Sequence, residues 1–414
     1  MNAPTRRSAA AVLVAASALV GLLATTVAPA SAAPPPDPPY FTEITGASVA
    51  PPNTGTPIVG HFTDQVVDDL LWYEPGPTKE LLWTPCPGCD GGPFTKKQLP
   101  LANQIGGYYE PVVGDFSGNG LDDIYWLSRS SAADYLWTST GAGSFSVRRF
   151  DAPDGEVYPL VLTDSRSGPS KDDILWRASG NASSRLWVFP DDGSGTARTK
   201  AWLRVPQGEA LVGDYDGNGA ADVLFYPHVT PCRCPVPSAA TSTDTLWRRS
   251  SGTAPGFTAT TMNIKGEYAP VVGRFSHQGD ARDDILWVGQ YFICCSSPED
   301  RPDSLWEGRT DGRFGASTES FPSEYGALAL GRDGSDTALI FSQQGAKVWR
   351  DTAGGPVLRS TGQVVPNTDL PLVGRFVSAD RADLGPQRLP DEFIEPVRLK
   401  HVGVVVEQQQ DFSL

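Results

Sequence analysis

The sequence predicts an all-β chain built from one four-stranded antiparallel sheet repeated along its length, and three observations predict it. A phrase recurs, reading Val-Gly-Asp-Phe-Ser-Gly-Asn-Gly-Leu-Asp-Asp-Ile-Tyr-Trp at 113–126 and Val-Gly-Asp-Tyr-Asp-Gly-Asn-Gly-Ala-Ala-Asp-Val-Leu-Phe at 212–225. Degenerate copies begin near Val59, Val161, Val272, Leu330 and Val373. Ten of the eleven tryptophans fall at two places in these copies. Between the phrases lie short alternating apolar runs separated by Gly, Asn, Asp and Pro, with no helical periodicity. A repeat of roughly 40–60 residues with this texture marks a modular array.

From the N-terminus, residues 1–32 read as an export signal. Arg6 and Arg7 supply its charge, Ala9 to Val27 its apolar stretch and Ala30-Ser31-Ala32 a small-x-small cleavage site. The apolar stretch raises a membrane anchor as rival, and the cleavage site with the Pro-rich residues after it favours removal. The twin arginines suggest the folded-protein export route, but the residues that follow fit that signal poorly. No later apolar run approaches the roughly 18 residues a membrane span needs. The expected product is secreted. Removing residues 1–32 takes two arginines and no acid, moving the formal charge from −15 to −17. That balance disfavours nucleic acid, whose phosphates reward basic patches. Residues 33–39 are a stiff linker of polyproline type, and 40–414 carries no composition break that would divide it.

The second copy shows the unit. Pro111 to Phe116 is an apolar strand, 115–123 a Gly/Asn/Asp loop, and Ile124-Tyr125-Trp126 a second strand. Tyr135-Leu136-Trp137 and Phe145 to Phe150 give strands three and four. First strands are expected at 57–62, 111–116, 159–163, 210–215, 270–275, 327–332 and 371–376. Trp72, Trp126, Trp176 and Trp287 end strand two, with Phe225 and Phe341 standing in elsewhere. Trp83, Trp137, Trp187, Trp247, Trp306 and Trp349 end strand three. Large rings at equivalent places read as packing between sheets. The seventh copy lacks a Trp strand and has only Val402 to Val406 as an apolar run. Tyr40 to Thr45 resembles a fourth strand, so pairing with the last sheet would close a ring and hide its edges. The expectation is a seven-bladed β-propeller, its blades starting near 57, 111, 159, 210, 270, 327 and 371 and its last blade composite.

The loops carry the chemistry. In Asp115-x-Ser117-x-Asn119-Gly120-Leu121-x-Asp123, oxygen side chains stand at positions 1, 3, 5 and 9, Gly120 allows a sharp turn, and Leu121 can offer its carbonyl. Asp214, Asp216, Asn218, Ala220 and Asp222 repeat the scheme around Gly219. Hard cations with six to eight oxygen ligands want this, and Ca²⁺ tolerates the irregular geometry better than Mg²⁺. Position 12 is Trp126 or Phe225 and both flanks are strands, so this is not an EF-hand. The alternative is an Asx turn that satisfies only its own backbone. The phrase and its repetition resemble FG-GAP/VCBS repeats, the blade units of integrin-type β-propellers, over most of 57–390. The resemblance implies Ca²⁺ in the loop between strands one and two.

Other copies depart from this pattern: His61 and Val66 in 61–69, Arg166 and Pro169 in 164–173, Arg274 and His277 in 274–284. Yet Asp68-Asp69, Asp172-Asp173 and Asp283-Asp284 persist there. A carboxylate without its co-ligands is expected to bond the backbone at the strand start.

A partner site is sought on the opposite face. The step from the strand-two aromatic to the strand-three Trp is 11 residues in the first three copies, 22 in the fourth and 19 in the fifth. Those two long loops carry Tyr226, His228, Tyr291 and Phe292, proposed to contact a ligand, and four cysteines. Six cysteines in an exported chain suggest disulfides among Cys86, Cys89, Cys232, Cys234, Cys294 and Cys295, with 15 pairings open. Cys86-Pro87-Gly88-Cys89 lacks the βαβ setting of a redox motif and reads as a staple.

No nucleophile elbow, phosphate loop or zinc helix motif is present, and His61, His228, His277 and His401 sit in no recognisable motif. The expected function is non-catalytic recognition of an extracellular glycan or surface protein. The alternative is a polysaccharide-acting hydrolase or lyase with a funnel active site, for which Arg274, Arg332 and Arg375 are the candidates.

Overall fold

The computed structural model describes residues 55–360 with internal gaps, and the strand residues 371–372 and 397–398. Residues 1–54, the rest of 361–414, and loops including 64–66, 87–93, 166–170, 190–196, 228–242, 251–255, 277–280, 290–302, 331–336 and 351–355 lie outside it. The pieces Tyr40 to Thr45 and Val402 to Val406, Arg332 and Arg375, and every cysteine except Cys86, fall there. Cys86 is disulfide-bonded.

The described chain is all-β, broken only by a 3-10 turn at Leu101–Asn103. Six four-stranded antiparallel sheets follow one another, each with its strands in chain order. Sheet one is β1 (Thr56–Gly60), β2 (Asp69–Tyr73), β3 (Leu81–Pro85) and β4 (Phe94–Gln98). Sheet two is β5 (Tyr109–Gly114), β6 (Asp123–Ser128), β7 (Tyr135–Ser139) and β8 (Phe145–Arg149). Sheet three is β9 (Val157–Asp164), β10 (Lys171–Ala178), β11 (Ser184–Val188) and β12 (Arg198–Leu203). Sheet four is β13 (Glu209–Gly213), β14 (Asp222–Tyr226), β15 (Thr245–Arg249) and β16 (Phe257–Thr261). Sheet five is β17 (Tyr268–Gly273), β18 (Asp284–Gly289), β19 (Ser304–Gly308) and β20 (Phe314–Thr318). Sheet six is β21 (Glu324–Leu330), β22 (Thr337–Ser342), β23 (Gly345–Arg350) and β24 (Val357–Ser360). A two-stranded pair, β25 (Pro371–Leu372) with β26 (Val397–Arg398), completes the set.

Except for β9, which runs on to Asp164, the first strands of the six sheets end two residues earlier than the apolar run suggests. Phe116, at the end of the expected strand, turns back so that its N–H reaches the carbonyl of Gly114 (3.0 Å). The chain therefore leaves the ladder at Gly114, which pairs with Asp123.

Strand two of sheets one to five is buried on both faces, which is why it reads as a continuous apolar run rather than an alternating one. Its two faces serve two interfaces. Trp126 and Trp137 join Leu71 and Tyr73 between sheets one and two, while Tyr125 and Leu127 join Trp176 and Trp187 between sheets two and three. Leu175 meets Val223 and Phe225 across the next junction, Tyr226 meets Trp287 across the fourth, and Val288 meets Ile340 and Trp349 across the fifth. Each tryptophan pair is a tilted or edge-on contact within one sheet, as in Trp126–Trp137 (5.2 Å between centroids), laid on its neighbour, as in Tyr73–Trp126 (4.9 Å). Burying such a ring contributes about 1.5–3 kcal/mol.

First strands contact the first strands of the next sheet from β1 through β21. Fourth strands are the wet ones: after Phe94, Thr95 to Gln98 are exposed, and lysines or arginines at Lys96, Lys97 and Arg149 blunt an edge that would otherwise invite pairing.

Candidate metal centre

Hairpins join strands one and two at one end of each sheet; the loops from strand two to three and the crossovers to the next sheet lie at the other end. Both metal-type loops lie at the first end.

In 115–123 the Asp115 carboxylate folds over its own loop. Its Oδ1 accepts the N–H groups of Gly118 (2.7 Å) and Asn119 (3.1 Å), and Oδ2 that of Gly120 (2.8 Å). Gly118 and Gly120 both have φ between 70° and 85°, which the turn requires. Asn119 Oδ1 accepts from Leu121 N (2.8 Å), and its amide donates to the Ser139 carbonyl (3.0 Å). Asp123 is fully buried, with Oδ2 taking Ser117 N–H (2.8 Å) and Oδ1 taking Ser139 N–H (2.9 Å). The Ser117 hydroxyl beside it is buried and makes no well-formed hydrogen bond.

The loop 214–222 is built alike but finished differently. Asp214 accepts from Asn218 N (3.0 Å) and Gly219 N (2.8 Å). Asn218 Oδ1 accepts from Ala220 N (2.9 Å), and its amide donates to the Arg249 carbonyl (3.0 Å). Asp222 Oδ1 takes Arg249 N–H (2.7 Å), but Asp222 Oδ2 is buried and makes no well-formed hydrogen bond, the Tyr215 N–H lying near enough only to lower its pKa slightly. Carboxylate oxygens of Asp214, Asp216 and Asp222 lie within 4.8 Å of one another. Burial, with smaller repulsion from Asp216 and Asp214, pushes Asp222 up to about 7. Burial likewise raises Asp123 to about 7, and raises Asp115, Asp214 and Asp216. Three crowded, desolvated carboxylates with an orphaned oxygen are what a divalent cation relieves. Asp214, Asp216 and Asp222 would hold Ca²⁺ here, with Asn218 and the Ala220 carbonyl completing the set.

The degenerate loops use their recurring aspartates structurally. Asp69 Oδ2 accepts from Phe62 N (3.0 Å) and Thr63 N (2.8 Å). Asp284 does the same with Phe275 and Ser276 (2.9 Å each) and takes Gly308 N–H on its other oxygen (2.9 Å). Asp173 Oδ1 takes Phe189 N–H (2.8 Å). The recurring carboxylate thus ties its loop or the end of strand three, beyond the strand start the sequence suggests. His61 pairs through Nε2 with Asp68 (2.7 Å).

The first aspartate of three of the Asp-Asp pairs does a job the sequence reading missed. Asp122, Asp172 and Asp283 reach into the preceding sheet and accept the N–H of His61 (2.8 Å), Asp115 (2.9 Å) and Asp214 (2.7 Å). Their own N–H groups return the bond to the carbonyls of those residues. Gly60, Gly114 and Gly213 make room: a Cβ on Gly114 would lie 2.8 Å from Asp172 Oδ2. Between sheets three and four the carboxylate half of this latch is absent, with Leu162 in place of the glycine and Ala221 in place of the aspartate, both in one apolar cluster, and only the return bond from Ala221 N to the Thr163 carbonyl remains. There the buried Arg249 guanidinium bonds Asp173 and lies 3.4 Å from Asp164.

A second missed signal sits at the other end of the sheets. Glu80, Asp134, Asp244 and Asp303 each stand three residues before a strand-three Trp. Each accepts an N–H from the crossover to the next sheet: Ile105, Ala152, Ile264 and Phe321. The acid-x-Leu-Trp spelling was the available clue.

Of the residues proposed to meet a ligand, Tyr226 is a correction. Its side chain is fully buried in β14 against Trp287 (5.2 Å), with its hydroxyl accepting from Tyr268 N (3.3 Å), so it belongs to the core. His228, Tyr291 and Phe292 lie outside the described residues. Arg274 pairs with Asp283 (3.5 Å).

No family model and no curated protein matches this chain. Among solved structures, a protein from Lactobacillus plantarum covers 78% of this chain with 98% of its own length, at 11% identity and a TM-score of 0.34. The V. cholerae biofilm matrix protein Bap1 covers 77% with 71% of its own, at 12% identity and a TM-score of 0.21. Likenesses this weak carry no argument about what the chain does.

Proposed function

We propose that this chain is an exported, calcium-binding β-propeller of the FG-GAP/VCBS type, with seven blades, acting as a non-catalytic recognition module for an extracellular glycan or protein. The seventh blade would grow from β25 and β26 and recruit the segment near Tyr40 to close the ring. Six sheets in chain order, with each first strand against the next, support that architecture.

One observation carries the calcium assignment. Asp222 Oδ2 is buried without a well-formed hydrogen bond among three converging carboxylates, whereas Asp69 and Asp284 spend the same oxygen on loop N–H groups. The loop 115–123 is the second, weaker site, with Ser117 in place of Asp216. The ion would cross-link each loop to its sheet, and recognition would fall to the far end, where loops vary in length on a rigid scaffold. A bridge from Cys86 to Cys89 would pin one such loop.

The test is calcium titration of metal-stripped protein by calorimetry, paired with melting in CaCl₂ and in EDTA. Two classes of site and a higher midpoint in CaCl₂ are expected. No heat and identical midpoints would overturn the assignment. Binding of an oligosaccharide or surface-protein panel without product release tests the recognition role.

A further inference from the structure

We propose that the cleft between sheets two and three, at the end opposite the metal loops, binds a neutral, hydroxyl-rich oligosaccharide; this rests on the recognition reading and names its ligand class. The cleft encloses about 770 Å³ and is lined by Arg129, Arg149, Asp151, Ser130, Ser131 and Tyr158, among others. That volume lies in the range of small-ligand sites, roughly 300–1,000 Å³.

Its walls are fixed before any ligand arrives. Asp134 ties the loop after β6 to the crossover after β8, accepting from Ser128 N and Ala152 N (2.6 Å each). The Phe150 carbonyl takes the Tyr125 hydroxyl from below. Arg129 spans the two sheets: Nε donates to Glu110 (2.8 Å), Nη1 to the Val157 carbonyl (2.6 Å), and the guanidinium lies 5.3 Å from the Tyr158 ring centre. On the opposite rim the exposed Arg149 holds Asp151 through Nε (2.9 and 3.1 Å).

The chemistry of this lining selects the ligand. Each arginine is already matched by a carboxylate, so the cleft has no surplus positive charge to reward a polyanion. A side-by-side arginine and aspartate instead offers a donor beside an acceptor, the pattern that a sugar hydroxyl, itself both, satisfies. The serine hydroxyls Ser128 and Ser130, 2.9 Å apart, extend that pattern along the wall. A protein partner would want an apolar centre, which this polar lining lacks.

The experiment is calorimetric titration of the full exported chain with cellohexaose, chitohexaose, laminarihexaose, maltohexaose and mannohexaose, and with hexagalacturonate as the acidic probe. At least one neutral oligomer should bind, the acidic one weakly or not at all. The double variant R149A/D151A, both residues exposed, should weaken binding about tenfold, while its melting midpoint falls by no more than the one long hydrogen bond it loses, from Asp134 N to Asp151 (3.2 Å). Y158A should weaken it further. Absence of binding by every neutral oligomer, tighter binding of hexagalacturonate, or full affinity in R149A/D151A would overturn the proposal. Full affinity in that variant would leave the recognition reading standing and remove only this cleft. Binding that persists in EDTA would support it, since the metal loops are at the other end.

Discussion

The loops 115–123 and 214–222 share five of nine residues, and two of the four differences change what each region depends on. In the first, Ser117 supplies an N–H that closes the buried Asp123 oxygen, and Asp172 of the next sheet clasps the loop's first N–H. In the second, Asp216 adds a carboxylate, the Asp222 oxygen is left open, and Ala221 stands where Asp122 extends the other loop's reach to sheet one. In the first region both buried Asp123 oxygens are met by N–H groups. The second has exchanged one of them for charge, with the Asp216 carboxylate added on one side and Arg249 on the other. The repeat keeps its shape while the forces that hold it change.

The largest effect expected from that difference is at Arg249. Removing one partner of a buried pair leaves the other uncompensated, so Arg249→Met should cost about 3–5 kcal/mol. At the junction between sheets two and three, Asp172→Ala leaves the Asp115 N–H unmet and returns the exposed Thr163 hydroxyl to water, about 1–3 kcal/mol. Urea unfolding of both variants checks the ranking. If Arg249→Met costs no more than Asp172→Ala, the arginine is not replacing the latch.

Calcium should divide the loops next. Saturation at about a hundred times Kd adds about 2.7 kcal/mol. Asp222→Asn, which keeps the shape and the bond from Arg249 N–H, should abolish most of the difference in melting midpoint between CaCl₂ and EDTA. Asp123→Asn should leave more of it. Equal losses would make the two sites equivalent and erase the role assigned to Asp216.

Without calcium, pH gives a third separation. Asp123 and Asp222 have pKa values raised from 3.8 to about 7 by burial. Folding then favours their protonated forms, and their stabilising contribution is complete below pH 3.8 and lost as pH rises to about 7. The expected slope in EDTA is about 1.4 kcal/mol per pH unit for each group across that window. Melting from pH 4 to 7 in EDTA should show stability falling. In CaCl₂ the fall should be offset, because the ion binds the ionised form. A fall of the same size in both buffers would separate the titration from metal binding.

Much of this was legible in the sequence because the repeat states it more than once. The sheet order, the tryptophan positions and both loops follow from the phrase, since strand two must be apolar throughout to fill two interfaces. The strand ends were legible only to about two residues: Asp115 and Phe116 look like strand but turn back onto it. The Asp-Asp pair was visible, but its division of labour was not, because one carboxylate serves the next sheet and no local spacing records that contact. Tyr226 was misplaced for a similar reason. It follows the last aromatic of strand two and resembles the start of a loop, while the strand runs one residue further and turns its ring inward. The cleft between sheets two and three draws on the end of one repeat and the start of the next, a place where counting loop lengths within a repeat does not look.

The smallest effect is also the most specific. Three junctions pair a glycine with an aspartate of the next sheet, as in Gly60 with Asp122, Gly114 with Asp172 and Gly213 with Asp283; one pairs Leu162 with Ala221. If these are two solutions to one packing problem, each half should fail beside the wrong partner. Ala221→Asp alone would drive a carboxylate against Leu162, and Leu162→Gly alone would open a cavity costing about 2–5 kcal/mol. Made together they rebuild the glycine-aspartate latch, with the Thr163 carbonyl already accepting the N–H of residue 221 (2.8 Å). The double variant should therefore be more stable than the two single costs imply, by about 1 kcal/mol of coupling. Urea unfolding of the four proteins measures it. Strict additivity would mean that the leucine and alanine arose independently, and that Arg249, rather than their contact, is what lets this junction do without its aspartate.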